Sequence, residues 1–380
     1  MIIYLDYASH TPVSEAVLAA FCETERRFAG NPLSAHQAGA ESGRELARLT
    51  SAIAEMLGVC SGSGSGSGEI IFTSGASEAN NLAIKGIAHA YGYRGRHILS
   101  TCLEHPSVSG VLAALQDVGY EVELVRILPC GSIDLEYLAS AIRPDTILVC
   151  VSAVDSELGV IQPIGEISKI VDKYPHCHLH IDAAQAVGKM PIEMHTASTM
   201  CISPHKFYGV AGSGVLVRRD GVVLEPLIHG GGASLYRGGT PALGLAAACH
   251  RALETALANQ DEWLAKVASL RGHLIGNLTQ YPLVRVNSPA GSSPYILNIS
   301  VKGVKATTFT TELGKRGVCV SIKSACSTDN APSRPVMAVS RDKQNALSSW
   351  RISLSHMTTM EELDAFIQIF NDCYTQFFRE

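Results

Sequence analysis

The stretch Glu69-Ile70-Ile71-Phe72-Thr73-Ser74-Gly75-Ala76-Ser77-Glu78-Ala79-Asn80-Asn81 reads as three pieces in succession. An apolar run at 69–73 predicts a strand, four small residues predict a tight turn, and the periodic pattern of 78–91 predicts a helix. Such a junction gathers free backbone N–H groups and hydroxyls at a helix N-terminus, which suits a phosphate dianion. The helix dipole adds only about 0.3–1 kcal/mol at an exposed end, so hydroxyl and cationic help is required. An ordinary capping turn has the same appearance, and the motif alone does not choose between them.

Outward from this junction the same rhythm repeats. Strands are predicted at 97–101, 121–126, 146–152, 178–182 and 214–218, with helical patterns between most of them, such as 108–118. Strands alternating with helices give a mostly parallel sheet sandwiched by helices, an α/β fold whose ligands lie beyond the C-terminal strand ends. After about residue 250 the pattern changes to a long helical stretch, 245–281, with room for an interruption, and then to a shorter α+β region with strands at 296–301 and 318–322. A large domain over 15–255 and a small one made of 1–14 and 256–380 are expected. Ser61–Gly68 is a strict Ser-Gly alternation, the composition of a flexible linker, and receives no catalytic role.

Composition narrows the function classes. The net charge of -5 argues against a dedicated binder of the nucleic-acid backbone, which needs clustered Lys and Arg. The 11 cysteines show no C-x-x-C pair, so neither a disulfide framework nor a zinc ribbon is signalled. The N-terminus lacks a signal-peptide pattern, and no apolar stretch approaches the ~20 residues of a membrane span. A soluble cytoplasmic enzyme is expected.

The chemistry concentrates in two further segments, His180-Ile181-Asp182-Ala183-Ala184-Gln185 and Ser203-Pro204-His205-Lys206. Asp182 closes an apolar strand, where an unpaired carboxylate is costly, and a pyridinium nitrogen is a natural partner. Lys206 stands beside a hydroxyl and an imidazole. A Schiff-base lysine and an Asp facing a ring nitrogen are what pyridoxal 5'-phosphate (PLP) chemistry demands. With the phosphate turn they form a constellation; separately, each is ambiguous.

At this point the chain resembles the cysteine desulfurases, in the class V aminotransferase group of fold-type I PLP enzymes. The resemblance runs through Tyr4-Leu5-Asp6-Tyr7-Ala8, Asn31-Pro32, Ser34-Ala35-His36, the phosphate turn, Glu104-His105-Pro106-Ser107-Val108, Glu157-Leu158-Gly159 and Gln162-Pro163-Ile164. It continues through Asp182 to Lys189, Ser203 to Lys206, Gly230-Gly231-Gly232, Arg237 to Thr240, Ser324-Ala325-Cys326, Arg351-Ile352-Ser353 and Thr358 to Asp364. It therefore spans essentially the whole chain in order. It implies a fold-type I architecture with a seven-stranded-type sheet in the large domain.

The resemblance also implies roles. Lys206 would carry PLP and shuttle protons, His105 would stack on the ring, Asp182 would hold the ring nitrogen protonated and Gln185 would bond the ring hydroxyl. Ala76, Ser77, Ser203 and His205 would hold the phosphate. Thr240 resembles a residue that reaches the phosphate of a partner subunit, which implies a homodimer. Arg351 resembles a clamp for the substrate carboxylate, a task suited to a guanidinium. Cys326 would take sulfur from L-cysteine as a persulfide, leaving L-alanine, and pass it to a protein sulfur acceptor. Lys323 is a candidate for raising its thiolate fraction.

Several positions depart from the family pattern. Lys323 stands where Gly is common, and Asp155-Ser156-Glu157 replaces Asn-Asn-Glu, so Ser156 would contact the ring hydroxyl and substrate with a shorter reach. Ala233-Ser234-Leu235-Tyr236 lacks a usual charged pair, and the segment between Cys326 and Trp350 is atypical. Two other readings stay open: a selenocysteine or cystine lyase in which Cys326 is dispensable, and a non-catalytic scaffold. His176, His178 and His180 alternate on a predicted strand and are read as its solvated beginning rather than as a metal site. The remaining cysteines are read as small apolar residues.

Overall fold

The computed structural model describes residues 2–59, 67–192, 197–323 and 331–378. Its strands are β1 (Ile3–Tyr4), β2 (Gly68–Thr73), β3 (His97–Ser100), β4 (Glu121–Leu124), β5 (Thr146–Ser152), β6 (His178–Asp182), β7 (Thr199–Ile202), β8 (Gly214–Arg219), β9 (Val284–Val286), β10 (Ile296–Val301), β11 (Val318–Cys319) and β12 (Ser349–Ser353). Helices that matter below are α1 (Glu15–Arg27), α2 (Gln37–Met56), α3 (Ala76–Tyr91), α4 (Pro106–Asp117), α5 (Leu135–Ala141), α6 (Ile164–Val171), α7 (Leu243–Ala258) and α8 (Gln260–Leu278).

Seven strands form one sheet in the order β2-β8-β7-β6-β5-β3-β4. From β7 to β4 the neighbours run parallel, whereas β8 is antiparallel to both β2 and β7. Central β5, Thr-Ile-Leu-Val-Cys-Val-Ser, is buried along its whole length, as a strand covered on both faces must be. Edge strand β4 is Glu-Val-Glu-Leu, half-buried to exposed, which blunts the edge with charge.

The two faces of the sheet belong to different apolar clusters. Val149, Val151, Leu179 and Ile181 pack with residues of α6 and α7 on one face. Ile98, Ile147 and Cys150 pack with α3 and α4 on the other. A third cluster joins Ile3, Leu5 and Ala8 to Leu270, Leu297, Phe309, Trp350 and Phe370. The N-terminal segment is tied there by β1 pairing with β11 and by the Asp6–Ser353 bridge. A separate three-stranded antiparallel sheet, β12-β10-β9, backs that cluster.

The helical stretch 245–281 is interrupted: it is two helices, α7 and α8, broken at Asn259. One local expectation is corrected. His176 is exposed ahead of β6, but His178 and His180 are no part of a solvated strand beginning: they lie within β6 and are buried. Successive side chains of a strand alternate in face, so Leu179 and Ile181 enter one apolar cluster while His178, His180 and Asp182 turn toward α3. There His178 meets the Tyr91 ring at 4.2 Å and His180 meets Asn80.

Candidate active site

The parallel strands β3, β5, β6 and β7 deliver polar residues at or just past their C-terminal ends: Thr101, Ser152, Asp182 and Ser203. These ends open on a cavity of about 370 Å³. Ala76, Ser77, His105, Ser156, Asp182, Gln185, Ser203, His205, Lys206 and Arg351 all line it, together with Ala8 and Ser9. Residues separated by as many as 343 positions in sequence, Ala8 and Arg351, thus converge on one space.

One part of the wall is the turn between β2 and α3. Glu78, in the first turn of α3, reaches back to accept the N–H of Ser74 at 2.7 Å and is itself held by Arg237 at 3.1 Å. First-turn amides of a helix have no intrahelical acceptor, and here they sit beside the hydroxyl of Ser77. The turn is pressed against the start of β8: a Cβ on Gly214 would lie 2.5 Å from the Gly75 backbone. Ser203 and His205 bond each other, Oγ to Nδ1, at 3.1 Å. Burial, then the Lys206 charge, push the His205 pKa down to about 4, so at neutral pH it is an uncharged partner for an anion.

Asp182 is held by three donors. Its Oδ2 accepts from Asn80 Nδ2 at 2.9 Å, and its Oδ1 accepts from Ala184 N at 3.0 Å and from the Cys201 thiol at 3.2 Å. Burial and the Asp182 charge hold the Cys201 thiol well above its ordinary pKa, which keeps it a donor. Gln185 donates from Nε2 to the Ala8 carbonyl at 2.8 Å and accepts at Oε1 from Lys189 Nζ, also at 2.8 Å. Lys189 is buried against Tyr295, and desolvation pulls its pKa well down.

Lys206 ends a short 3-10 turn, Pro204–Lys206. Its ammonium donates to the carbonyls of Ala8 and Ser9, both at 2.7 Å. Arg351 is 2 % exposed and meets the same segment: NH2 donates to Asp6 Oδ1 at 2.8 Å and to Ser9 Oγ at 2.6 Å, while NH1 donates to the Ser156 carbonyl at 2.7 Å. Its Nε is buried with no hydrogen-bond partner. Residues 6–9 therefore hold both cations of the site at once. Sequence reading placed these residues in a motif but gave them no role, because only the fold brings the chain's beginning to Lys206 and Arg351.

His105 caps α4, with Pro106 at the first helical position. Its Nδ1 accepts the N–H of Ser107 at 3.1 Å and lies 2.8 Å from Ser107 Oγ. Burial lowers its pKa. The preceding Glu104 is enclosed between Thr101 Oγ1 and Ser152 Oγ, each at 2.6 Å, and burial raises it to about 7.

Thr240 does not line this cavity. It lies on a separate one of about 240 Å³ with Thr73, Ser74 and Arg237, where its Oγ1 accepts from Asn31 Nδ2 at 3.5 Å. Cys326 lies outside the described residues, as do Ser61 to Gly66 of the Ser-Gly stretch; Lys323, just before Cys326, donates to the Ala331 carbonyl. Chemically the cavity offers an anion cradle, a buried carboxylate, an amine, an imidazole and a guanidinium.

The family model of aminotransferase class-V matches residues 3–366. The chain belongs to the aminotransferase class-V family. Within it, the chain is 36% identical to a protein named cysteine desulfurase IscS from Glaesserella parasuis, over 98% of this chain and 93% of that one. Among solved structures, one titled NIFS-like protein superposes with a TM-score of 0.91 at 31% identity, covering 99% of this chain and all of the other. Another, SspA in complex with cysteine, gives 0.79 at 30% identity over 94% and 99% of the two chains. The aminotransferase class-V architecture therefore extends over this whole chain. No described helix is long and apolar enough to cross a membrane.

Proposed function

We propose that the chain is a PLP-dependent cysteine desulfurase, converting L-cysteine to L-alanine while Cys326 becomes a persulfide. The observation that carries this reading is the convergence of Lys206, Asp182, His105 and Arg351 on one cavity beside a helix N-terminus. The donor set fits the cofactor. Ser77, Ser203, His205 and the α3 amides would hold its phosphate, Asp182 its ring nitrogen, Gln185 its ring hydroxyl, His105 its face and Lys206 its aldehyde carbon. When bound, PLP delocalises the electron pair left at the substrate α-carbon, which activates the sulfur.

The remaining work falls to the protein. Lys206 takes and returns the α-proton, having left the carbonyls of Ala8 and Ser9. Arg351 orients the substrate carboxylate with its guanidinium, which Asp6 and the Ser156 carbonyl hold in place. His105 covers the reacting face and limits water. The Cys326 thiolate attacks the substrate sulfur: an S–S bond forms, the C–S bond breaks, and the carbon side is protonated to alanine. Cysteine as substrate is supported by likeness to a relative solved with cysteine. The persulfide then passes to a sulfur acceptor.

A homodimer belongs to the same reading. Thr240 stands away from its own chain's cavity, on a separate one with Ser234 and Arg237, and would serve the partner's phosphate. Mass spectrometry after incubation with PLP and cysteine tests the proposal. One added sulfur atom on Cys326 and stoichiometric alanine are expected; alanine formation that persists in Cys326→Ala would overturn it.

A further inference from the structure

Asn80 is fully buried in α3, one turn beyond the anion-binding junction, and its side chain touches two residues that line the cavity, Asp182 and Ser107. Its Nδ2 donates to Asp182 Oδ2 and to Ser107 Oγ, each at 2.9 Å, and its Oδ1 lies 2.9 Å from His180 Nε2. The amide cannot turn over, because its oxygen would then face the Asp182 carboxylate. With Oδ1 toward His180, that ring must donate from Nε2. Burial lowers the His180 pKa to about 4, so the ring is neutral and its Nδ1 accepts the Thr199 hydroxyl at 2.9 Å.

The same logic fixes His105. Ser107 Oγ accepts from Asn80, which leaves its own proton for His105 Nδ1 at 2.8 Å. That nitrogen already accepts the Ser107 N–H. A neutral His105 therefore carries its proton on Nε2. All donors run one way, from Thr199 through His180 and Asn80, and then divide between Asp182 and, through Ser107, His105.

We propose that Asn80 is a positioning residue that fixes Asp182 and His105 together, so that the carboxylate is oriented for a ring cation while His105 presents an N–H. Asn80 touches no space in which the substrate would lie, so it acts through its two neighbours. The proposal rests on the PLP reading of the cavity and deepens it.

A double-mutant cycle on PLP affinity separates positioning from general packing. Dissociation constants are measured by equilibrium dialysis for the full chain, Asn80→Leu, Asp182→Asn and the double variant. We expect Asn80→Leu to weaken PLP about tenfold when Asp182 is present and less than twofold when residue 182 is Asn. Equal losses in both backgrounds, or none in the first, overturn the positioning role. Asn80→Ser serves the same cycle should the leucine variant not fold. In the cofactor-free protein at pH 8, nitrogen-15 NMR should find His105 protonated on Nε2 and His180 on Nε2; a protonated Nδ1 on His105 also overturns it. Failure of the unmodified chain to bind PLP would instead sink the functional reading.

Discussion

Single buried groups set how this molecule responds to pH. Glu104 sits between two hydroxyls, and burial raises its pKa from the ordinary 4.5 to about 7. Between those values the folded chain binds a proton that the unfolded chain has lost, so this group's contribution is full below about 4.5 and disappears as the pH rises through about 7. Glu104→Gln keeps an acceptor and adds donors without the charge. Relative to the unmodified protein it should therefore gain stability from pH 5 to pH 8, by up to about 3 kcal/mol. Denaturant midpoints at the two pH values check this; an unchanged difference would show that Glu104 is not carrying the proton. Lys206 provides the matching chemical test at this scale. Lys206→Ala should lower alanine formation by at least about 100-fold, the smaller end of what a positioned acid or base supplies. The visible band of the cofactor-loaded protein should disappear with it.

At the scale of elements, the strand–turn–helix at 68–91 is the part that decides both fold and site. Its legibility was high: the strand expected at 69–73 is β2, and the helix expected at 78–91 begins two residues earlier, as α3. What the motif could not reveal is that β8 lies against the turn, since β2 and β8 are about 140 residues apart and antiparallel. Gly214→Ala would place a Cβ 2.5 Å from the Gly75 backbone and push the turn toward the cavity. Overpacking of this kind costs about 1–3 kcal/mol. PLP affinity should fall together with the melting temperature, whereas Gly272→Ala, inside α8 where a Cβ meets nothing within 4 Å, should leave PLP affinity unchanged and raise the melting temperature slightly through helix propensity. Strands β1, β7, β9 and β12 were not anticipated. Three are five residues or fewer with no clear alternation, and the fourth, β1, has two residues that form a strand only because β11 is there to receive them.

For the molecule as a whole, the two cations of the cavity are held by a segment far from both in sequence. Lys206 and Arg351 both lean on residues 6–9, the chain's own beginning. A ligand that binds only the folded state stabilises it by mass action, about 2.7 kcal/mol at 100 times its dissociation constant. PLP should accordingly raise the melting temperature of the full chain in a concentration-dependent way, and the shift should shrink in Lys206→Ala. Calorimetry with and without PLP measures this; no shift would count against the cavity as the cofactor site.

Residue order alone determined a great deal. Apolar runs gave the parallel strands β3, β4, β5 and β6 but not β7, because period and burial are local consequences of side-chain chemistry. Residue chemistry singled out Asp182, Lys206 and the turn at 73–81, and the family resemblance added His105, Ser156, Gln185, Ser203, His205 and Arg351; all of these named residues, with Ala76 and Ser77 of the turn, line one cavity. The tertiary structure alone decided who holds whom: Asp6 and Ser9 on Arg351, Asn80 between Asp182 and His180, and Thr240 away from its own chain's cavity. It also turned His178 and His180 from an expected solvated segment into buried partners of α3. Hydrogen bonds across 100 to 345 positions depend on how distant segments pack together, and no local pattern encodes that distance.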